Sequence, residues 1–349
     1  MSVERAHAAA AQVSVSPATV LEDRHGRRLN YARIALTERC NLRCRYCMPE
    51  AGVAFQAPDK LMSDDEVRRL IGVLAGLGVS KLRFTGGEPT LRKGLPGLVA
   101  VARTAGIARV YLTTNGLLLH HYVDELQAAG LAGVNISLDT LRPERFASIT
   151  RRDGFLQTLN NIYLALEKGF ASVKLNVVVM RGVNDDEIGA FCELTRAHNV
   201  TVRFIEFMPF DAHQMWADGD YLVRAKDIVG RLYSQYHELV AVSGSETEHY
   251  HYRISGYRGS VAVIPAFTRA LCRNCNRLRI TADGQVRNCL YSETDYDLRE
   301  LMRSGASDSQ LAERVHQAVA AKAIDGIEAR ERSLATPHVS RISMTQIGG

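Results

Sequence analysis

The chain has 349 residues, too many for one small hydrophobic core and enough for one large domain with an appendage or for two domains. Hydrophobic residues make up 46% and charged residues 23%, which excludes a disordered or fibrous chain, and no apolar run reaches the roughly 18 residues a membrane helix needs. A formal net charge of +5 is mild: it suits an anionic small molecule as well as nucleic acid and decides neither.

In chain order, residues 1–28 lack the basic-then-apolar pattern of a signal peptide and read as a disordered N-terminal tail. From 29 to 222, short β-rich runs alternate with amphipathic stretches. The strand candidates are 32–36, 81–84, 110–114, 134–138, 173–179 and 202–207; the helix candidates are 64–77, 95–105, 117–129, 154–168 and 185–198. Ser63 and Glu66 have the spacing of a capping box, and Gly78 and Gly130 fall where helices should stop. Alternation of this kind calls for parallel pairing through right-handed crossovers. Six βα units are too few for a closed eight-stranded barrel. The predicted fold is therefore an incomplete (β/α)6 TIM-type barrel, with ligands at the C-terminal ends of its strands. Residues 223–324 change character, with strands at 248–254, 260–264 and 278–286 and helices near 297–302 and 308–321. They read as a smaller α/β extension covering the open side. Residues 325–349 form a polar tail ending Gly348-Gly349.

The seven cysteines are Cys40, Cys44, Cys47, Cys192, Cys272, Cys275 and Cys289. Their clustering argues against a secreted disulfide framework and for a reducing, cytoplasmic location. Cys192 lies in an apolar helical pattern and reads as a small core residue. Cys40-x3-Cys44-x2-Cys47 follows the first strand, so a loop leaving a strand end can turn three sulfurs toward one point. A four-iron cluster takes four thiolates, and three leave one iron open for chemistry. A structural zinc site and unligated thiols are the other readings. Zinc sites usually come as two separated pairs, and this triplet has no nearby fourth Cys or His. Cys272-x2-Cys275-x13-Cys289 is again a triplet. Zinc completed by His249 or His251 and a second open cluster both fit its spacing.

A C-x3-C-x2-C loop with an aromatic, Tyr46, before its last cysteine resembles the cluster loop of the radical S-adenosylmethionine (SAM) superfamily. Two three-cysteine sites followed by a chain ending in Gly-Gly are similar, from about residue 31 to the end, to the GTP 3′,8-cyclase family, which opens molybdenum cofactor biosynthesis. That resemblance implies two [4Fe–4S] clusters, SAM as cofactor and GTP as substrate. In that family a 5′-deoxyadenosyl radical removes the ribose 3′ hydrogen and the carbon radical closes onto guanine carbon 8. It further implies an external one-electron donor, a downstream cyclic pyranopterin monophosphate synthase and a homodimer, with no nucleic acid or membrane partner. Cys40, Cys44 and Cys47 would hold the SAM cluster, and Cys272, Cys275 and Cys289 a second cluster whose open iron takes the guanine ring.

The same resemblance assigns Tyr46, Gly86, Gly87, Glu88, Ser137 and Met208 to SAM. It assigns Arg33, Arg83, Thr113, Lys174, Arg277, Leu278 and Arg279 to GTP. The tail would enter the active site, with Gly348 and Gly349 needed for activity. Taken on their own residues, these positions say less. Gly86-Gly87-Glu88-Pro89 permits close backbone approach and a carboxylate acceptor, or is simply a tight turn before a helix. Met208 alone reads as core packing. Arginine suits phosphate by its fork geometry, and Arg277 and Arg279, two apart on a strand, project to one side while Leu278 points away. Arg341 is a further candidate for the anionic pocket. Two other functions remain open. A peptide-modifying radical SAM enzyme with an auxiliary cluster should carry more C-terminal cysteines. A zinc-stabilised nucleic-acid module should show basic residues interleaved with aromatics, yet Trp216 is the only tryptophan.

Overall fold

The structure is a computed structural model that describes residues 20–208, 220–243, 249–268, 271–292, 296–334 and 343–347. The six predicted strands are present as β1 (Tyr31–Ala35), β2 (Lys81–Thr85), β3 (Arg109–Thr114), β4 (Gly133–Ser137), β5 (Ser172–Val179) and β6 (Thr201–Glu206), all pairing in parallel in chain order. Their connections carry α1 (Asp64–Gly76), α2 (Leu95–Thr104), α3 (Val123–Ala128), α4 (Pro143–Thr150), α5 (Phe155–Glu167) and α6 (Ile188–Ala197). The capping box forms as its spacing predicts: Glu66 N donates to Ser63 Oγ at 3.2 Å and Ser63 N donates to Glu66 Oε2 at 2.7 Å. The crossover between β4 and β5 holds two helices rather than one. Pro143 starts the unpredicted α4, where its fixed φ suits a first turn.

The second half of the chain contributes α7 (Ala225–Gln235), β7 (Leu239–Ala241), β8 (Tyr250–Ile254), β9 (Ser260–Ile264), β10 (Arg277–Ile280), β11 (Gln285–Arg287) and β12 (Tyr296–Asp297). After these come α8 (Arg299–Arg303), α9 (Asp308–Ala320) and α10 (Gly326–Leu334). These strands do not form a separate sheet. β9 adds in parallel to β6 and β10 adds in parallel to β1, one at each edge of the six-stranded sheet. The complete order is β12-β11-β10-β1-β2-β3-β4-β5-β6-β9-β8-β7. Among the described residues no pairing joins its two ends, so the barrel stays open. The predicted strand 278–286 divides into β10 and β11 at a turn where Gly284 takes φ +82°, a conformation that glycine adopts without steric cost.

Period-2 alternation decides which side chains enter the barrel. Ala32, Ile34, Leu82, Phe84, Val110, Leu112, Val134, Ile136, Val173 and Leu175 join the core beneath the helices. Their neighbours Arg33, Arg83, Tyr111, Thr113, Asn135, Lys174 and Asn176 therefore face the interior. No described helix is long and apolar enough to cross a membrane.

The N-terminal expectation needs a correction over its last nine residues. Residues 20–28 form a small hairpin, with an antiparallel bridge between Glu22 and Arg28 and a bond from Leu29 N to Leu21 O at 2.8 Å. Leu21 and Leu29 are fully buried against the core, an anchor too short for periodicity to reveal. Residues 1–19 lie outside the described residues. Leu21→Ala should lower unfolding free energy by about 2–4 kcal/mol, read from the urea midpoint at unchanged slope. A loss under about 0.5 kcal/mol would return this segment to the status of a peripheral tail.

Candidate active site

The first cysteine loop leaves β1 at the C-terminal mouth of the barrel and is held on three sides. Beneath it lies the turn after β2. Gly87 N donates to Thr37 O at 2.7 Å and Glu88 N to Arg39 O at 2.8 Å. A Cβ on Gly86 would stand 2.5 Å from Thr37 O, and one on Gly87 would stand 2.3 Å from Arg39 O. The close backbone approach that the two glycines permit is thus, first of all, that of the cysteine loop itself. Glu88 is buried and its carboxylate is occupied within the protein. Oε1 accepts from Thr90 N at 3.0 Å and from the Thr114 hydroxyl at 2.7 Å, and Oε2 accepts from Asn115 N at 2.7 Å. Asn115 in turn donates to Asn41 Oδ1 at 2.7 Å. Burial raises the Glu88 carboxyl, and these donors partly offset it. The side chain braces the loop rather than offering itself to an ammonium, which leaves the neighbouring backbone for that contact.

On the second side, the end of α4 grips the loop backbone: Arg43 N donates to Thr150 O and Arg45 N to Ile149 O, both at 2.9 Å. Arg151, the only non-glycine described with positive φ (54°), donates to Met48 O at 3.1 Å. Tyr46 gives its hydroxyl to Asp139 Oδ2 at 2.7 Å, and Asp139 Oδ1 accepts from Val178 N at 2.8 Å. Burial pushes the Asp139 carboxyl up to about 6, less than it would without those two donors. The Tyr46 ring packs on a small apolar group of Ile149, Met180 and Phe207. Met208 follows Phe207 at this edge, and Ser137 ends β4 beside Asn176.

The third side is the C-terminal tail, which the family resemblance sends to the active site. Residues 343–347 of the C-terminal segment lie on the loop. The Ser343 hydroxyl donates to Cys47 O at 2.8 Å, Met344 N donates to the same carbonyl at 3.1 Å, and Thr345 N donates to the Cys47 sulfur. Gly348 and Gly349, as well as Arg341, lie outside the described residues. Small polar residues in a tail give no periodic signal, so only the family resemblance pointed to this docking.

The three thiols act on one another. Burial, then the Glu88 charge, raises Cys40 to about 11; burial, then Cys40 and Asp139, raises Cys47 to about 12; burial and Cys47 raise Cys44. At the second triplet the thiols differ: burial raises Cys272, whereas Cys275 meets cations. Burial pushes Cys275 up, but Lys322, Arg277 and Arg279 outweigh it and bring the thiol down to about 5. Cys272 accepts a bond from Gly326 N, and Cys275 one from Arg277 N. Among the described residues no three of His, Cys, Asp and Glu converge as a single metal ion requires. A cube whose cysteines bind different irons needs wider spacing, and three mutually interacting thiols at each site suit it.

Strand register relates the two sites. β10 runs parallel beside β1, with Tyr31 opposite Arg277 and Arg33 opposite Arg279. Cys40, Cys44 and Cys47 follow the C-terminal end of β1, whereas Cys275 precedes the N-terminal end of β10. A five-residue strand spans roughly 16 Å, so the triplets sit at opposite ends of one interior rather than side by side. The surface between them is basic. Arg279 is buried, and burial together with the charges of Arg33 and Arg277 lowers its guanidinium to about 9. The Lys81 ammonium stands 4.3 Å from the Tyr31 ring, and the Arg83 guanidinium lies between Tyr31 and Tyr111 at 5.6 and 5.7 Å. With its amide oxygen turned inward, Asn135 accepts from Arg83 Nη1 at 2.8 Å and from the Thr113 hydroxyl at 3.3 Å. Arg203 donates to Asn176 Oδ1 at 2.9 Å.

Arg33, Arg83, Thr113, Lys174, Arg277 and Arg279 are all on strands that line this interior. The Leu278 side chain is not: it is buried in the core on the opposite face, so only its backbone can meet a ligand. Tyr31, Lys81, Tyr111 and Arg203 were missed. Extending the alternation two residues either way from Arg33, Arg83 and Thr113 would have found the first three.

An open parallel βα barrel with a three-thiol loop at the exit of its first strand defines a radical SAM protein. The radical SAM superfamily model matches residues 34–195, and the Molybdenum Cofactor Synthesis C model matches residues 200–325. Among solved structures, anSMEcpe with bound AdoMet superposes with a TM-score of 0.59 at 15% identity, over 87% of this chain and 83% of that one. Streptococcus suis SuiB bound to S-adenosylmethionine gives 0.56 at 14% identity, over 81% of this chain and 65% of that one. At such identities the likeness is one of fold. The sequence relatives are far more similar. A GTP 3′,8-cyclase of Chlorobaculum tepidum is 47% identical over 95% of this chain and 97% of its own, and one of Moorella thermoacetica is 41% identical over 94% and 100%. Human molybdenum cofactor biosynthesis protein 1 is 41% identical, and this chain spans 48% of its length. The chain belongs to the GTP 3′,8-cyclase family. Membership of the radical SAM superfamily implies a [4Fe–4S] cluster and SAM.

If Glu88 braces the loop, Glu88→Gln sets an amide N–H against donors and should cost about 1–3 kcal/mol of stability, with or without the cluster. A variant of normal stability whose only defect is weak SAM binding would make Glu88 a direct ligand contact instead.

Proposed function

We propose that this chain is a radical SAM GTP 3′,8-cyclase that converts GTP to (8S)-3′,8-cyclo-7,8-dihydroguanosine 5′-triphosphate, the first step of molybdenum cofactor biosynthesis. One observation carries the reading: two three-thiol cradles stand at opposite ends of a single basic interior, in a chain 47% identical to a GTP 3′,8-cyclase over nearly its whole length. When bound, the first cluster and SAM supply one-electron chemistry that yields an adenosyl radical.

In this reading Cys40, Cys44 and Cys47 hold the SAM cluster. Tyr46, pinned by Asp139, would contact the adenine, and the backbone of Gly86 and Gly87, with Ser137 and Met208, would complete the SAM pocket. Cys272, Cys275 and Cys289 hold a second cluster, left open toward guanine. Arg33, Arg83, Lys174, Arg277 and Arg279 take the triphosphate by charge-assisted bonds, with Thr113 beside them. The chain's part in catalysis is mostly positioning, because ring closure needs ribose and base in one conformer with water kept out. The docked segment 343–347 lies against the first cysteine loop, and the family resemblance assigns Gly348 and Gly349, which follow it in sequence, to the active site. Residues without Cβ fit such a crowded place. The division into barrel (29–222), extension (223–324) and tail (325–349) follows these roles, although β9 and β10 belong to the barrel sheet. An external one-electron donor, a downstream cyclic pyranopterin monophosphate synthase, a homodimer and a reducing cytoplasm complete the proposal.

The test is anaerobic reconstitution followed by incubation with SAM, dithionite and GTP. The cyclised nucleotide and 5′-deoxyadenosine should form together; 5′-deoxyadenosine without any cyclised nucleotide would remove the substrate assignment. Arg279→Ala should raise the KM for GTP about 10- to 100-fold, as the loss of one charge-assisted bond implies, with SAM affinity unchanged. An unaltered KM would take Arg279 out of the phosphate site.

A further inference from the structure

Behind the second cysteine set, two cations reach in from elements remote in sequence. Lys322, just after α9, is only 3% exposed, and its ammonium donates to Arg277 O at 3.2 Å and to Asn288 O. Arg277 stands two residues beyond Cys275, and Asn288 directly precedes Cys289. Arg27, in the N-terminal hairpin, is ion-paired with buried Asp23 at 2.6 Å. Its guanidinium donates to Cys272 O at 3.1 Å and to Ala323 O and Ile324 O at 2.6 Å each. All three cysteine-bearing backbone segments are therefore tied to one short turn, 321–325, by two positive side chains.

This arrangement is costly unless it does something. An ammonium taken out of water loses several kcal/mol of hydration, and a leucine or methionine would pack α9 onto the barrel at no such cost. What an apolar residue could not do is draw two carbonyls, on separate strands, to one point. Nor could it place a cation beside the thiols: the Lys322 ammonium sits on the carbonyl two residues past Cys275 and on the one directly before Cys289.

We infer that Lys322 and Arg27 are positioning residues for the second cluster: they fix Cys272, Cys275 and Cys289 at the separation a four-iron cube needs, and the Lys322 charge raises that cluster's reduction potential. The inference rests on the two-cluster reading. Removing Lys322 takes a donor away from two carbonyls and frees the two arms that carry Cys275 and Cys289. It also withdraws a cation that favours electron gain nearby, so the potential must fall.

The experiment uses the full chain, purified anaerobically, as wild type, Lys322→Met, Lys322→Arg and Arg27→Met. Iron and sulfide are counted, iron loss to a chelator is timed, and each cluster's paramagnetic resonance signal and potential are recorded. Wild type should hold about eight irons, as two cubes require. Lys322→Met should lose half of them about tenfold or more faster, the usual scale for an outer-shell contact, and the second cluster's potential should move negative. The first cluster's response to SAM should stay unchanged, and Lys322→Arg should restore retention. Arg27→Met, which frees only the Cys272 arm, should show the same selective loss and stands in should Lys322→Met misfold. Wild-type retention and potential in both methionine variants would overturn the inference. A wild type with only about four irons would overturn the two-cluster reading itself.

Discussion

Parallel pairing of β10 with β1 is the constraint on which the rest depends. It brings a strand from the far end of the sequence alongside the first strand, with Arg33 beside Arg279. Because the first cysteine loop leaves the top of β1 and Cys275 precedes the bottom of β10, the pairing alone sets two sulfur cradles at opposite ends of one cavity. Sliding the register by one residue would turn Arg277 and Arg279 into the core and Leu278 into the cavity. The packing of Leu278 and Ile280 in the apolar core forbids that slip.

The two ends differ in electrostatics as sharply as in place. Around the first triplet the carboxylates Glu88 and Asp139 outweigh a smaller opposing charge on Arg43, and burial with these charges raises all three thiols. Around the second the nearby charges are Lys322, Arg277 and Arg279, and Cys275 is lowered to about 5. A sulfonium cofactor favours the first setting and a nucleoside triphosphate the second, since each ligand then meets charge of the opposite sign. On the proposed function, this polarity, supplied by side chains on β1, β2, β10 and the turn after α9, would order the two ligands. The Arg83–Tyr31–Tyr111 stack and the Asn135 contact hold the wall between them rigid, which proximity catalysis requires.

Much of this was legible from residue order alone. The alternation of six strands with amphipathic helices, the Ser63 capping box and the three-thiol loop are local signals, and local signals survive into the fold. What stayed hidden was non-local. Nothing in the 260–264 or 277–280 runs says that one will extend one edge of the sheet and the other the opposite edge, because edge pairing is decided by partners 59 and 246 residues away. The 20–29 hairpin was hidden for another reason: two leucines eight residues apart make no pattern, yet they anchor Arg27 where it meets the second cradle. Glu88 shows the converse. Its residue type suggested a ligand contact, but donors on three neighbouring residues, Thr90, Thr114 and Asn115, already bond its carboxylate.

The most direct test of the central claim is ligand-specific perturbation of the two clusters, followed by paramagnetic resonance with isotope-labelled SAM and GTP on the same anaerobic sample. Two open cradles at opposite ends of one basic cavity predict that labelled SAM couples only to the cluster of Cys40, Cys44 and Cys47, and labelled guanine only to the cluster of Cys272, Cys275 and Cys289. Coupling of both ligands to one cluster, or no coupling of guanine to either, would contradict it.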